Sequence, residues 1–190
     1  MDYDPDKVFY CTDRRKWRRK LQGEFERSKE IWFAFPTVDS GKEGISYNDA
    51  VEEALCFGWI DSISKRLNED YHIRRFTPRK EGSPYSRPNI ERLIWLDSKG
   101  KIHPKIREQV EPIITEEFVF PEDIIDELRK DEVVWKNYQS FSDSYKRIRV
   151  AYIDAARDRP EEFSKRLNSF IDKTRQNKLI GGYGGIDKYY

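Results

Sequence analysis

The chain has 190 residues, of which 37% are charged and 37% hydrophobic, and its formal net charge is +1. A chain of this length is expected to form one compact domain or two small ones, and its 11 Phe, 11 Tyr and 5 Trp residues can supply a sizeable core. The composition therefore excludes a disordered chain, and no apolar run approaches the roughly 18 residues that a membrane-spanning helix needs.

The N-terminal sequence and the number of cysteines indicate the cellular compartment. The N-terminal sequence MDYDPDKVFYCTD lacks the basic start and the apolar stretch of a secretory signal. Cys11 and Cys56 are two thiols, too few for a disulfide framework. These features predict a cytoplasmic protein with reduced cysteines.

The small net charge hides a strong segregation along the chain. Residues 62–107 carry a net charge of +7, and residues 108–134 carry −8. The basic segment is suited to an anionic partner. It is equally suited to pairing with the acidic segment that follows it, and the sequence leaves both interpretations open.

Two elements are predicted near the N-terminus. Residues 13–30 indicate an amphipathic helix, because Trp17, Leu21 and Phe25 fall at four-residue steps and share one face. The aromatic run at residues 30–36, ended by a proline, predicts a strand.

A second helix and a hairpin follow. The helix is predicted over residues 47–57, with Ser46 and Asp49 at the spacing of a capping-box variant and Gly58 as the left-handed stop. Beyond the glycine, the sequences WIDSISKRL and YHIRRFTP predict two strands joined by the turn-prone NED.

The rest of the chain is predicted to be mainly helical. Asn89 is a candidate N-cap for a helix that ends near Leu96, and another helix is expected from Pro104. Residues 121–177 form a helical run in which Pro121, Ser142 and Pro160 are the predicted starts. The sequence GGYGGIDKYY at the C-terminus predicts a flexible tail.

These elements together predict an α+β protein, with a small antiparallel sheet flanked by helices and a C-terminal helical module. The predicted boundaries are an α+β domain over residues 1–115, the helical module over residues 116–180, and the tail over residues 181–190.

Three groups of residues are candidates for catalysis or metal binding. His72 and His103 have no cysteine or carboxylate at ligand spacing, so neither a metal site nor a cofactor is predicted. Cys56 lies near the C-terminal end of its helix, where the helix dipole does not lower a thiol pKa, so core packing is favoured over nucleophilic catalysis. Glu52 and Glu53 point about 100° apart on a helix and are interpreted as a solvated face.

The basic run RRKWRRK, residues 14–20, allows two interpretations. Its six bases wrap around a helix, so that several reach solvent and make nucleic-acid or membrane-surface contact a candidate role. The favoured interpretation is a face of long side chains around a buried Trp17.

The predicted hairpin carries one acid and a group of bases: Asp61, Lys65, Arg66, Arg74, Arg75 and Arg79. Residues four apart on a strand share a face, so Asp61 and Lys65 are expected to lie together, and Arg66 is expected opposite Arg74. The planar guanidinium suits a carboxylate or phosphate ligand. The alternative is an internal salt-bridge network that orders the hairpin.

The stretch VEEALCFGWIDSISKRLNEDYHIRRFTPRK, residues 51–80, closely resembles the signature of the YdeI/OmpD-associated family of bacterial and archaeal proteins. That signature runs A-L-C-F-G-W-I-D, then K-R-L-D-E, then a tyrosine and R-F-T-P-R. The resemblance extends over roughly residues 14–177. Tyr85 stands where the family usually has tryptophan. The matching positions are Cys56, Gly58, Trp59, Asp61, Lys65, Arg66, Tyr71, Arg75, Phe76, Pro78, Arg79, Ser86 and Asn89.

The family's names refer to bacteriocin protection and to association with an outer-membrane porin. The resemblance therefore implies a part in tolerance of antimicrobial peptides or envelope stress, and it brings no catalytic residues with it. A non-enzymatic binding or stress-accessory protein is the preferred interpretation.

The predicted partner is a small anionic ligand or an acidic peptide. Its expected site residues are Asp61, Lys65, Arg66, Arg75, Arg79, Ser86 and Asn89. The rival functions are an enzyme that uses the Cys56 and Asp61 region, and a nucleic-acid-binding protein that uses residues 14–20 and 74–79. The oligomeric state is left open.

Overall fold

The computed structural model describes residues 3–181 and 187–189. Its elements, in chain order, are α1 (Arg14–Glu24), β1 (Ile31–Pro36), α2 (Tyr47–Cys56), β2 (Trp59–Arg66), β3 (Tyr71–Pro78), α3 (Arg87–Ser98), α4 (Pro104–Thr115), α5 (Glu122–Arg129), α6 (Glu132–Ser140), α7 (Asp143–Asp154) and α8 (Pro160–Arg175). The three strands form one antiparallel sheet, which confirms the predicted α+β class.

The chain divides into two compact units. The first comprises the residues up to Pro84 together with Leu93–Glu111, and the second comprises Tyr85–Arg92 and the residues from Pro112 onwards. The sheet therefore belongs to the first unit and helices α5 to α8 to the second. The division predicted at residue 115 stays a prediction. Most of the predicted tail, residues 182–186 and 190, lies outside the described residues.

The sheet has the order β1-β3-β2, so the hairpin strand β3 is central. Strand β1 is nearly all buried, and its residues Trp32 and Ala34 lie opposite Arg75 and Ile73 of β3. The alternation of side chains gives the sheet two unlike faces. One faces α1 and α2, and the other carries a small apolar cluster of Trp32, Ala34 and Ile73.

Trp17 of α1 lies at the centre of the first unit's core. It is fully buried, its ring centroid lies 4.9 Å from that of Phe33 and 5.3 Å from that of Phe76, and its Nε1 donates to the carbonyl of Ala50 at 3.0 Å. The four-residue spacing seen in the sequence is confirmed by the burial of Leu21 one turn further on. Helix α1 is thereby fixed to both the sheet and α2.

The start and stop of α2 follow the predicted local rules. Ser46 accepts a hydrogen bond from the backbone N–H of Asp49 at 3.0 Å and caps the helix. Gly58 has φ of 71°, and a Cβ there would lie 2.9 Å from Ile106 Cδ1. Only glycine provides both the left-handed conformation and the close approach at this position.

The second unit packs its helices around a core of apolar side chains. Ser142 caps α7 as predicted, accepting from the N–H of Tyr145 at 3.2 Å. Asp131 caps α6, a helix whose start the sequence did not reveal, by accepting from two backbone N–H groups. The buried core comprises Ile124, Ile125, Leu128, Val134, Tyr138, Tyr145, Val150, Ile153, Leu167 and Phe170.

The helix cap predicted at Asn89 is wrong. Asn89 lies inside α3, which begins at Arg87, and the carbonyl of Ser86 accepts from its N–H at 2.9 Å. Pro88, in the first turn, needs no N–H partner, so the helix can start before the predicted cap.

Among the described residues, none of the helices has the length and apolar character needed to cross a bilayer.

Candidate anion-binding site

A β-bulge divides the charged cluster predicted on the hairpin. Asp61 lies opposite Phe76, whereas Ser64 lies opposite Arg74 and Lys65 opposite Ile73, so β2 has an irregularity between Asp61 and Ser64. One additional residue on a strand reverses the faces of all residues beyond it. The prediction that Asp61 and Lys65 share a face is therefore wrong.

Asp61 lies on the face of the sheet that packs against the helices. Its Oδ2 accepts from Arg74 Nη1 and from the Tyr47 hydroxyl, both at 2.9 Å. The Arg74 guanidinium lies 4.3 Å from the centroid of the Tyr47 ring. Asp61 and Arg74 thus form the internal ion pair that the alternative interpretation anticipated.

Lys65 and Arg66 make different contacts from each other. Lys65 Nζ lies 5.7 and 5.6 Å from the ring centroids of Tyr3 and Trp32, on the face opposite Asp61. Arg66 is exposed, and its Nε donates to the carbonyl of Asn68 at 3.1 Å. Its partner across the strands is His72, so the predicted pairing with Arg74 is also wrong.

Arg75 and Arg79 line a shallow depression on the first unit, with a volume of about 550 Å³. The register places Ile60 opposite Thr77, beside Arg75 on the same face of β3. The loop that follows β3, together with Lys29 from the segment before β1, supplies the remaining wall. The full lining is Lys29, Ile60, Arg75, Thr77, Pro78, Arg79, Lys80 and Ser83.

The two arginines of the depression are held in defined orientations. Arg75 Nε donates to Glu30 Oε2 at 2.6 Å. Burial raises the pKa of the Glu30 carboxyl, but hydrogen bonds from Arg75 and Trp32 outweigh it and leave that pKa lowered. Arg79 Nη2 donates to the carbonyls of Ser83 and Pro84 at 3.2 and 2.9 Å, which fixes its side chain against its own loop.

The electrostatic character of the depression is positive. Within the described part of the chain, its lining includes four cationic side chains, two hydroxyls and no carboxylate. Glu30 offsets part of the charge of Arg75 from the side. The arrangement can hold one or two anionic groups by charge-assisted hydrogen bonds, with Ile60 and Pro78 as apolar surface beside them.

Six lining residues were not among the predicted site residues: the apolar Ile60 and Pro78, and the polar Lys29, Thr77, Lys80 and Ser83. Thr77 and Lys80 had a local signal, because one lies two positions from Arg75 on a strand and the other follows Arg79. Lys29 had no local signal in the sequence, since only the pairing of β1 with β3 brings its segment to this end of the sheet.

Ser86 and Asn89 belong to the second compact unit. Asn89 Oδ1 accepts from Arg92 Nη1 at 2.9 Å, within the first turns of α3. Their membership of the predicted ligand site stays a prediction.

The two cysteine thiols, Cys56 and Cys11, are buried in the protein. Cys56 is fully buried, and burial, with a further contribution from Glu53, raises the pKa of its thiol to about 11. Cys11 is also buried, and burial raises the pKa of its thiol. A thiol that stays protonated near neutral pH is a poor nucleophile.

We expect Cys56, measured in a Cys11→Ser variant, to react with a thiol-specific disulfide reagent at pH 8 about 100-fold more slowly in the native protein than in the urea-unfolded chain, because the thiolate fraction falls as the pKa rises. The same shift predicts that the contribution of Cys56 to stability is lost as the pH rises from the usual cysteine range toward 11, since the unfolded thiol ionises first. Rapid reaction of one equivalent of reagent with the native Cys11→Ser variant would contradict this assignment.

The basic run at residues 14–20 is divided between the interior and solvent. Arg14 contacts Asp49, Glu52 and Glu53 of α2, and Arg18 contacts Glu53 at 2.7 Å. Glu52 is fully buried and Glu53 nearly so, which makes the predicted solvated face wrong. The two carboxylates can be buried because α1 supplies two arginines against them.

The histidines lie among aromatic rings. His72 is stacked on Phe35 with 5.8 Å between ring centroids, and burial with the nearby charge of Arg74 lowers its pKa. The His103 ring lies 4.8 Å from that of Phe25. Among the described residues, there is no group of three or more side chains suited to a metal ion.

Comparison with known families covers most of the chain. Residues 9–109 match the family described as Domain of unknown function (DUF8412), which is more than half of the sequence. The chain belongs to the DUF8412 family. Residues 117–177 match the family described as Bacteriocin-protection, YdeI or OmpD-Associated, which confirms the family recognised from the sequence. No curated protein and no solved structure was found to match the chain.

The two matches fall on different parts of the molecule. The hairpin motif at residues 51–80 and the whole basic depression lie within the DUF8412 match. The YdeI/OmpD-associated match covers helices α5 to α8. The protein is accordingly a DUF8412 member whose C-terminal segment is similar to the YdeI/OmpD-associated family.

Proposed function

We propose that the DUF8412 part of this protein binds a small anionic ligand, without catalysing a reaction, in the depression lined by Arg75 and Arg79. The observation that carries the proposal is the concentration of four cations and two hydroxyls around one depression of about 550 Å³. A volume of this size falls within the usual range of small-molecule sites, roughly 300–1,000 Å³.

The positions of the cations favour a carboxylate or phosphate ligand. Arg79 is oriented by two backbone carbonyls, and Arg75 by Glu30, so their guanidinium planes lose little further freedom on binding. The exposed side chains of Lys29 and Lys80 supply mobile charge at the rim. Thr77 and Ser83 can add neutral hydrogen bonds.

The two rival functions, an enzyme and a nucleic-acid-binding protein, have weaker support. The thiol of Cys56 is buried and protonated, and Asp61 is hydrogen-bonded to Arg74 and Tyr47. Nucleic-acid binding has less support because Arg14, Arg18 and Arg74 form ion pairs with buried or half-buried carboxylates, so these guanidinium groups are not presented to a phosphate backbone. These contacts favour the depression as the binding site.

Thermal-shift measurements with inorganic phosphate, citrate and a hexa-aspartate peptide test the proposal. Saturation to about 100 times Kd should stabilise the protein by about 2.7 kcal/mol and raise its Tm. We expect Arg79→Ala and Arg75→Ala to weaken binding about 10- to 100-fold, because each removes a charge-assisted hydrogen bond worth roughly 1.5–3 kcal/mol.

The matched control is Arg66→Ala, which removes an exposed arginine of the same hairpin that does not line the depression. It should retain wild-type affinity. Equal stabilisation of wild type and both lining variants would refute the site. Tighter binding of a single-stranded oligonucleotide than of all three probes, with affinity falling steeply with salt, would favour the nucleic-acid alternative.

The biological setting is proposed from the C-terminal match. A ligand-binding accessory protein with a bacteriocin-protection segment suits a part in tolerance of antimicrobial peptides or envelope stress, and we propose a cytoplasmic location for it. Comparison of a deletion strain complemented with wild type or Arg79→Ala, under peptide challenge, measures whether the site serves that role.

A further inference from the structure

A second cavity lies within the second unit, between α7 and α8. Its volume is about 350 Å³. Helix α7 supplies one wall, α8 supplies the opposite wall, and the segment after α8 closes one end. The lining residues are Arg149, Tyr152, Ile153, Glu162, Lys165, Arg166, Ser169, Phe170, Ile180 and Gly181.

The inner surface of this cavity is apolar and aromatic. Ile153 and Phe170 are each 1% exposed and form part of the unit's core. The Tyr152 ring is covered on one side by the Arg166 guanidinium, whose central carbon lies 3.9 Å from the ring centroid. Such a surface takes the hydrocarbon or aromatic body of a ligand, which water would otherwise surround.

The polar part of the cavity is cationic. The lining includes three cationic side chains, Arg149, Lys165 and Arg166, and one carboxylate, Glu162, which accepts from Arg166 Nε at 2.7 Å. Arg149 is 4% exposed, and it donates to the carbonyl of Ile180. A negative group placed near this buried guanidinium would interact through low-dielectric surroundings, where Coulomb attraction is stronger than at the surface.

We propose that this cavity binds a small amphipathic anion, consisting of an aromatic or short aliphatic body that carries one carboxylate. The body lies on Ile153, Phe170 and Tyr152, and the carboxylate is directed to the three cations. The volume is near the lower end of the range for ligand sites, so the ligand has one or two rings at most. This site is separate from the depression of the first unit, which lacks an aromatic lining residue among those described.

The test uses the full-length, ¹⁵N-labelled protein titrated with 1-naphthoate and, separately, with its neutral counterpart 1-naphthamide. We expect saturable amide shifts from naphthoate that are concentrated on residues 149–153 and 162–170. Naphthamide should bind at least about tenfold more weakly, the effect of removing one charge-assisted contact. Equal affinity for the two probes, or shifts centred elsewhere, would overturn the proposal.

Two charge reversals on α8 localise the effect. Lys165→Glu changes the charge at the cavity by two units and should weaken naphthoate about tenfold, the Coulomb effect at about 6 Å in water. Lys173→Glu makes the same change on the same helix at an exposed position outside the lining, and it should leave the affinity within about twofold. Equal weakening by both variants would mean that net charge alone governs binding and would refute the site.

Discussion

Replacement of Arg14 by alanine is expected to lower the free energy of unfolding by about 3–5 kcal/mol, because it breaks a buried ion pair from one side only. Arg14 contacts Asp49 at 2.5 Å, Glu52 at 2.8 Å and also Glu53. The side chains of Glu52 and Glu53 are 0% and 4% exposed, so loss of the guanidinium leaves buried carboxylates with one fewer counter-charge. Urea denaturation followed by far-UV circular dichroism measures the change.

Two further variants separate the buried charge from other effects of the Arg14 substitution. Arg19→Ala, at an exposed position of the same helix, should change stability by no more than about 0.5 kcal/mol. Addition of Glu52→Gln to Arg14→Ala should recover part of the loss, because the uncompensated charge is removed. A double variant whose losses simply add would contradict the ion-pair explanation.

Trp17→Ala is expected to cost about 3–5 kcal/mol, the range for removing a large aromatic side chain from a packed core. The indole is fully buried against Phe33 and Phe76, and its Nε1 donates to Ala50. Its loss leaves a cavity where α1, α2 and the sheet meet, and surrounding rings can fill such a space only in part. Equilibrium urea unfolding, with near-UV circular dichroism for side-chain packing, measures the effect.

Trp17→Phe is the matched control for the cavity. It keeps a ring against Phe33 and Phe76 and loses the indole hydrogen bond, so it should cost less than half as much as Trp17→Ala. Equal losses for the two variants would show that the hydrogen bond to Ala50, and not ring packing, dominates at this position.

Several elements followed from local sequence alone. Ser46, Ser142 and Gly58 fix helix ends because a side-chain oxygen or a left-handed backbone acts within a few residues of its own position. The two hairpin strands were likewise recognisable from their β-branched and aromatic residues and from the turn between them. The YdeI/OmpD-associated resemblance was confirmed for residues 117–177.

The candidate site was only partly predictable. Arg75 and Arg79, which the sequence analysis assigned to one basic cluster, line the same depression, Arg75 near the end of β3 and Arg79 directly after it. Asp61 was assigned to the same cluster on a periodicity of two, and the bulge before Ser64 shows why such a count fails. The sequence SISK contains no glycine or proline that would mark the irregularity.

The sequence by itself determined the α+β class, the positions of most helices and strands, and the family of the C-terminal segment. Only the tertiary structure decided which charges are internal and which line a depression. Glu52 and Glu53 are buried because Arg14 and Arg18 approach them from another helix, and Lys29 joins Arg75 because β1 pairs with β3. Local propensity acts over one turn of the chain, whereas burial and charge pairing depend on segments distant in sequence.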